Sequence, residues 1–480
     1  MPPLRRPPAV RVLPLFLLLP LACALNNGVG QTPIMGWTSW IQTGQGDLWV
    51  GSPFNVTARA LKDTADRMVS TGLRDLGYKY ILLDDGWPAC SEFRSSGACE
   101  TSPPRLPNGQ VQVDPNKFPP SSPGKNDGIK VVADYLHSLS MKMGIYTAPH
   151  ARTCGNYWGL LHNEQQDTAM YASWGIDFIK LDAGCQDDSS LHDGTLITSL
   201  RKVRDGLNET GRKIVYYVDA GNGNEAKVFN PMKRAVPNNA YTRSHIPRSL
   251  SEAVWSFGPD VAHMWKFWTD RHDSFHNLMS VIQFHATTGI PWWQRRGAIS
   301  TLDSMTVGRG GYAGGAPGMT EGQYRIEVFH YAILASPMVL SFDLSTLSTP
   351  KQAFAKEILT NKEIIAINQD CDAVAGSLIY TMGRNSWATD LWIRPLSDGS
   401  FAVALVNKDL TASHSISVRI RGSGPHGGGE LSDFTGGPAG GQQGAEVHDV
   451  YQKRALGNFS TWFNATVPPM DARLLRFLIF

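Results

Sequence analysis

From about Pro33 to about Leu344, short apolar runs alternate with stretches whose apolar positions recur at helical spacing. Tyr78 to Asp84, Met141 to Tyr146, Ile176 to Asp182 and Lys213 to Asp219 carry apolar residues at consecutive positions, the pattern of strands buried on both faces. Between them, Ala58 to Thr71, Gly128 to Ser140, Glu164 to Trp174 and Leu191 to Leu207 are predicted helices. Buried strands alternating with helices predict a parallel sheet covered by helices. Their regular repetition favours an α/β fold of the (β/α)8 barrel type over an open doubly wound sheet. The open sheet would place a G-x-G-x-x-G turn after an early strand, and the sequence has none there. Helical patterning stops after Asn368-Gln369-Asp370. Short alternating runs follow, at Leu391 to Arg394, Phe401 to Asn407, Ser415 to Ile420 and Leu474 to Phe480, and predict a small antiparallel β domain. A glycine-rich stretch, Gly422 to Gly444, reads as an exposed loop within it.

Composition adds compartment and partner. Formal charge is +2, from 44 Lys and Arg against 42 Asp and Glu, so electrostatics gives no reason to expect a nucleic-acid partner. Fourteen Trp and 14 Tyr suit a sugar ligand, whose apolar ring faces stack on aromatic rings, and equally suit a packed core. At the N-terminus Arg5, Arg6 and Arg11 precede an apolar run, Val12 to Leu21, and then Ala22-Cys23-Ala24. That is the layout of a cleavable secretory leader, and the run is shorter than the roughly 20 residues a membrane span needs. The expected division is a leader at 1–24, a barrel at 25–370 and a β domain at 371–480, with no membrane span. Cys90, Cys99, Cys154, Cys185 and Cys371 follow the leader, an odd set that allows two bridges and a leftover thiol, or one intermolecular bond. Asn55, Asn208, Asn458 and Asn464 each open an N-glycan sequon. Neither C-x-x-C nor H-E-x-x-H occurs, so no metal and no cofactor is expected. Assembly as a homodimer is compatible with the sequence.

The chemistry concentrates at the strand ends. Asp84 and Asp85, Asp182, and Asp219 each close a predicted strand. In a barrel such ends converge on one mouth. Carboxylates arriving there from different strands are what glycosidic bond cleavage needs: one attacks or orients water at the anomeric carbon, another protonates the leaving oxygen. Lys180 and Asp182 stand two apart and share a strand face, where the ammonium favours the ionised carboxylate. The same arrangement also serves as a structural ion pair.

Several stretches, in order, resemble glycoside hydrolase family 27, which holds α-galactosidases and α-N-acetylgalactosaminidases. They begin with Leu25-Asn-Asn-Gly-Val-Gly-Gln-Thr-Pro-Ile-Met-Gly-Trp37 and Tyr80-Ile-Leu-Leu-Asp-Asp-Gly-Trp87. Gly144-Ile-Tyr146 with Thr153-Cys154, and Trp174-Gly-Ile-Asp-Phe-Ile-Lys-Leu-Asp182, resemble the third and fourth strands. Trp265-Lys-Phe-Trp-Thr-Asp270-Arg-His-Asp-Ser-Phe275 resembles the stretch carrying the family's acid/base aspartate. Ser304-Met-Thr-Val-Gly, Met319-Thr-Glu, Ala335-Ser-Pro and Ile365-Ala-Ile-Asn-Gln-Asp370 resemble the later barrel and its exit. The resemblance implies a retaining α-galactosidase acting on an oligosaccharide, glycolipid or glycoprotein glycan by double displacement. Asp182 is then the nucleophile and Asp270 the general acid/base. Asp84, Asp85 and Lys180 match positions that hold galactose hydroxyls, and Trp40 and Tyr146 match aromatics lining the sugar pocket. Cys154 matches a pocket position and, with Cys185, the family's disulfide beside the nucleophile, although Ala183-Gly184 makes that spacing one residue longer. Cys90 and Cys99 make a candidate short-loop pair, which leaves Cys371 as the free thiol. The implied destination is the secretory pathway, ending outside the cell or in a lysosome or vacuole.

Three departures bear on the substrate. Lys266 stands where the family has Arg, which keeps the charge and loses the bidentate fork, so the sugar contact implied there is weaker or different. Val218-Asp219-Ala220-Gly221 replaces the family's pair that discriminates at the sugar 2-position. Asp303-Ser304-Met305 stands for P-D-M, so an expected carboxylate becomes a hydroxyl or shifts by one residue. The segment from Asp219 to Trp265 is also long for the family. Alternatives are therefore a hydrolase of an α-N-acetylgalactosaminide, a β-L-arabinopyranoside or an α-glucan, or a carbohydrate-binding homologue without turnover.

Overall fold

The computed structural model describes residues 27–40, 56–90, 92–93, 99–101, 105–184, 195–220, 254–266, 268–287, 293–312, 316–382, 388–420, 431 and 444–480. Eight parallel strands form one sheet in chain order: β1 (Met35–Thr38), β2 (Tyr80–Leu83), β3 (Lys142–Thr147), β4 (Phe178–Asp182), β5 (Val215–Asp219), β6 (Met264–Lys266), β7 (Ile299–Ser300) and β8 (Met338–Leu340). The two edges meet. Strand β8 pairs with β1, while Met305, just past β7, bridges in parallel to Leu340 of β8, which closes the barrel.

Helices α1 (Ala58–Ser70), α2 (Gly128–Ser138), α3 (Glu164–Ser173), α4 (Thr195–Glu209), α5 (Val254–Val261), α6 (Phe275–Thr287) and α7 (Glu321–Ile333) run between the strands. Local chemistry starts them: Thr57 caps α1 by accepting from the Ala60 N–H, and Thr320 with Gln323 forms a reciprocal capping box on α7. The expected strands begin about two residues early at β2, β4 and β5, because the apolar run starts before the ladder does. Leu191, the expected start of α4, lies outside the described residues.

Alternate strand residues face opposite sides. Met35, Trp37, Ile81, Leu83, Met143, Ile145, Ile179, Leu181, Val218 and Trp265 join the core shared with the helices. Ile34, Phe178, Val215, Tyr217, Met264, Ile299 and Val339 form a separate cluster, with Tyr80 and Leu82 against it, that fills the barrel interior. Gly144 is needed there: a Cβ would sit 2.4 Å from a Leu82 methyl and 3.1 Å from the Phe178 ring.

After α8 (Ala353–Leu359) and α9 (Lys362–Asn368) the chain becomes antiparallel. Strands β9 (Ser377–Met382), β10 (Thr389–Pro395), β11 (Phe401–Asn407), β12 (His414–Arg419), β13 (Ala445–Asp449), β14 (Arg454–Phe459), β15 (Trp462–Val467) and β16 (Asp471–Ile479) follow. They make a six-stranded sheet in the order β9-β10-β11-β16-β13-β14 and a two-stranded sheet of β12 and β15. Leu391, Ile393, Val403, Leu405 and Phe477 pack on Ile416, Val418 and Phe463 of the small sheet, while Trp392, Ala402, Ala404 and Leu474 join the barrel core. Both faces of β10 and β11 are therefore covered, which explains their near-continuous apolar sequences. Arg394, fully buried, donates through Nη1 to the carbonyls of Ala332 and Ile367 at the C-terminal ends of α7 and α9, at 2.6 and 2.7 Å. Arg325 and Asp471 add a two-point ion pair across the same junction. The Gly422 to Gly444 loop lies outside the described residues apart from Leu431 and Gly444.

Candidate active site

The inward positions of the barrel strands change from apolar to charged at one height. Tyr80 and Leu82 lead to Asp84, Phe178 to Lys180 and Asp182, Val215 and Tyr217 to Asp219, Met264 to Lys266, and Ile299 and Thr301 to Asp303. The register sets them side by side: Tyr146 pairs with Lys180, Asp182 with Asp219, and Asp219 with Lys266. A cavity of about 40 Å³ beneath them is bounded by Leu82, Phe178, Tyr217 and Met264, with Trp40, Asp84, Lys180 and Asp303 at its polar side.

Asp182 is 5% exposed. Its Oδ1 accepts from the Gly184 N–H at 2.9 Å, and its Oδ2 accepts from the Tyr146 hydroxyl at 3.1 Å. The sulfur of Cys154, which is disulfide-bonded, lies 3.5 Å from the same Oδ2. Lys180 Nζ sits 3.1 Å from Asp84 and 3.6 Å from Asp219, between the rings of Trp40 and Tyr146 at 5.3 and 5.2 Å. An ammonium has three N–H donors, so two carboxylate partners leave Lys180 one for a ligand.

Lys266 is placed differently. Its ammonium, 3% exposed, lies 3.2 Å from Asp219 and 3.0 Å from Asp303, and also donates to Asp270. Three donors face three carboxylates. The sequence resemblance implied a weaker or different sugar contact for Lys266, and its charge faces the neighbouring aspartates. Asp85 is committed too. Its Oδ1 accepts from the Gly86 N–H and the Thr153 hydroxyl, and its Oδ2 from the Gly155 N–H, so it fastens the loop carrying Cys154.

Among the described residues, the mouth thus gathers Asp84, Asp182, Asp219, Asp270 and Asp303 around two ammonium groups. Like charges crowded in a dry site cannot all ionise at their ordinary pH. Burial, then the adjacent Asp219, pushes the Asp182 carboxyl up to about 7, against the pull of Lys180. Burial also raises Asp270, with Asp303 and Asp219 adding to it and Lys266 opposing. For Asp303 burial is again the largest influence and acts upward, but Lys266, Lys180 and the Arg271 N–H together outweigh it and hold the group below the ordinary carboxylate value. Burial raises Asp85 to about 6. Tyr146 is kept a neutral donor, its ionisation raised well out of range by burial and by Asp182. One carboxyl able to attack and a second able to hold a proton is the minimum that double displacement at an acetal carbon needs.

Asp303 is the site residue that motif reading left unassigned. Strand parity finds it, because Ile299, Thr301 and Asp303 share one face. Ser304, set against the family's carboxylate, has a buried hydroxyl with no partner among the described residues. The Asp303 carboxylate, one position before it, lies 3.0 Å from the Lys266 ammonium, and its backbone adopts φ +76°. Cys90 is disulfide-bonded and Cys371 is an exposed free thiol. Cys185 and the Cys99 side chain, the expected partners of Cys154 and Cys90, lie outside the described residues.

Comparison with known proteins covers both parts of the chain. The family profile described as "Alpha galactosidase A" matches residues 32–236 and 247–370, and that of the "Alpha galactosidase C-terminal beta sandwich domain" matches residues 386–477. The chain is 30% identical to alpha-galactosidase 3 of Arabidopsis thaliana over 410 residues, 83% of this chain and 76% of that protein. It is 27% identical to the alpha-N-acetylgalactosaminidase of Gallus gallus over 449 residues, 92% of each. The crystal structure of alpha-galactosidase I from Mortierella vinacea superposes with a TM-score of 0.73 at 25% identity, covering 94% of this chain and 98% of that one.

Proposed function

The chain belongs to the alpha-galactosidase A family, glycoside hydrolase family 27, and on that footing we propose that it is a retaining glycoside hydrolase that removes terminal α-galactosyl residues through a covalent glycosyl-aspartate on Asp182. The observation that carries the reading is the convergence of Asp182 and Asp270 on one buried mouth, Asp182 standing opposite Asp219 in the barrel register and Asp270 held by the Lys266 ammonium that also touches Asp219. In the first step the Asp182 carboxylate attacks the anomeric carbon, the carbon–oxygen bond to the leaving group breaks, and Asp270 gives its proton to the departing oxygen. In the second, Asp270 takes a proton from water as that water attacks the same carbon, and the Asp182 ester is released. Two inversions restore the starting configuration.

Lys180 and Asp84 are assigned to the sugar hydroxyls, Trp40 and Tyr146 to the apolar ring face, and Asp219 to bridging the two lysines. The division at 1–24, 25–370 and 371–480 is retained. The cysteines are assigned as Cys154–Cys185 and Cys90–Cys99. The leader, the two disulfide-bonded cysteines and the exposed sequon residues Asn208, Asn458 and Asn464 support passage through the secretory pathway; Asn55 lies outside the described residues. No helix among the described residues is long and apolar enough to cross a membrane.

The test uses two amides. Asp182→Asn should abolish turnover of every glycoside, because an amide cannot form the ester. Asp270→Asn should retain attack on a nitrophenyl galactoside, whose leaving group needs no proton, and azide should restore its turnover and yield the α-galactosyl azide. The reversed pattern would exchange the two roles, and unchanged hydrolysis in both would remove the assignment. A nitrophenyl panel of α-galactoside, α-N-acetylgalactosaminide, β-L-arabinopyranoside and α-glucoside sets the glycone: the highest kcat/KM is expected on the α-galactoside. Preference for another sugar overturns the glycone alone.

A further inference from the structure

Three carboxylates around one ammonium at the barrel mouth contain one group with no step to perform. Asp219 is shared with Lys180, and Asp270 is the acid/base of the reading above, on which this inference rests. Asp303 has neither duty, yet it is held with care. Its Oδ1 accepts from the Ser304 N–H at 2.7 Å, its Oδ2 accepts from the Arg271 N–H at 3.0 Å, and Lys266 Nζ lies 3.0 Å from that same Oδ2. Its backbone sits at φ +76°, a conformation that non-glycine residues seldom adopt and that is kept only where the surroundings impose it. Arg271 directly follows Asp270, so the Arg271 N–H joins the Asp303 loop to the acid/base loop.

Lys266 alone would defeat an acid at Asp270. An ammonium in contact with a carboxyl favours the carboxylate, and an ionised Asp270 cannot protonate a leaving oxygen. We propose that Asp303 is a positioning residue whose charge occupies the Lys266 ammonium, so that Asp270 keeps the proton it must deliver. The groups facing Asp270 are Lys266 on β6, Asp219 on β5, Asp182 on β4, Asp303 beyond β7, and His272 on its own loop. Lys266 is the cation among them that touches it, and Asp303 is the anion on that cation with no other task. The balance of influences on Asp270, with Asp303 holding the proton on and Lys266 driving it off, has the same sense.

The experiment is the pH dependence of kcat/KM for Asp303→Asn and Asp303→Glu in the full-length protein, on a nitrophenyl α-galactoside and on an alkyl α-galactoside. Asn tolerates positive φ better than most residues and still accepts an N–H, so the loop keeps its shape. For Asp303→Asn the alkaline limb, where Asp270 loses its proton, should move about one pH unit toward acid, the effect of a single neighbouring charge. The acid limb should stay in place. Above neutral pH the alkyl substrate should lose about tenfold more than the nitrophenyl substrate, since a limb displaced by one unit removes about nine-tenths of the protonated acid. Asp303→Glu should return the limb most of the way. An unmoved alkaline limb with equal loss on both substrates overturns the proposal and makes Asp303 a structural residue. Should Asp303→Asn not fold, an Asp303→Glu limb displaced by as much as a unit overturns it equally. Failure of the underlying reading is separate: it shows in Asp270→Asn, where azide would rescue nothing, whatever Asp303 does.

Discussion

Removing one oxygen from Tyr146 should reset the acid limb of the reaction without touching the acid. The Tyr146 hydroxyl donates to Asp182 Oδ2 at 3.1 Å, and the only other hydrogen bond on that carboxylate among the described residues comes from the Gly184 N–H. Tyr146→Phe keeps the ring, and with it the face over which Lys180 sits at 5.2 Å. What it loses is a hydrogen bond to a charged group, about 1.5–3 kcal/mol in a buried setting. With Asp182 5% exposed, water does little to replace it. At about 1.4 kcal/mol per pKa unit, the carboxyl should rise by about one to two units. The sign follows from the role: attack requires the carboxylate, the lost donor stabilised the carboxylate, and so the group protonates at a higher pH. Below the limb, kcat/KM should fall about 10- to 100-fold, and much of the loss should be recovered on the alkaline side until the Asp270 limb intervenes. Initial rates on a nitrophenyl α-galactoside from pH 4 to 9, with a melting scan to show that the variant is folded, measure both limbs. An acid limb that stays put, or moves toward acid, would refute the hydrogen bond's part in holding Asp182 ionised.

Two further outcomes follow from the same contacts. Asp182→Asn should raise the melting temperature at pH 8 by several degrees and by much less at pH 4. A folded carboxyl pushed from 3.8 up to about 7 binds its proton more tightly than the unfolded one. Its burial therefore costs stability progressively as pH rises between those values; a gain that grew toward acid would contradict the shift. Arg394→Met should destabilise the junction of barrel and β domain, since two buried helix-end carbonyls lose their donor at about 1–3 kcal/mol each, offset in part by the relief of a buried guanidinium. Limited proteolysis should then cut between residues 369 and 400 well before wild type does, and an unchanged digestion pattern would show that the apolar contact alone holds the junction.

The barrel could be read from the sequence because its strands are buried on both faces, and IDFIKLD or KIVYYVD admits little else. The acidic residues closing those strands led directly to Asp84, Asp182 and Asp219. Asp303 was left as one of two alternatives, a shifted carboxylate or its loss to Ser304, because β7 is two residues long, Ile299–Ser300, and presents no apolar run to mark the strand. Lys266 was found, but a sequence shows that a cation is present, not that three carboxylates face its three donors. Asp85 stands beside Asp84 in the chain and faces Gly155, which only the path of the loop after β3 decides. The β domain was legible as alternation and strand length. Arg394 was not, since an arginine in an apolar strand gives no sign that it will cap two helices from another part of the chain.

The interior of the barrel explains why this chemistry sits where it does. Below the charged ring lie Phe178, Val215, Tyr217, Met264, Ile299 and Val339, packed among themselves and separate from the core that holds the helices. That floor is apolar and buried, so charges above it are poorly screened. The same poor screening that makes the cluster costly raises the proton affinity of both Asp182 and Asp270. A wetter mouth would bring Asp182 and Asp270 back toward the ordinary carboxylate value. The alternation of side chains along eight short strands builds both parts at once: the first inward residues make the dry floor, and the next along the same strands carry the charges that depend on it.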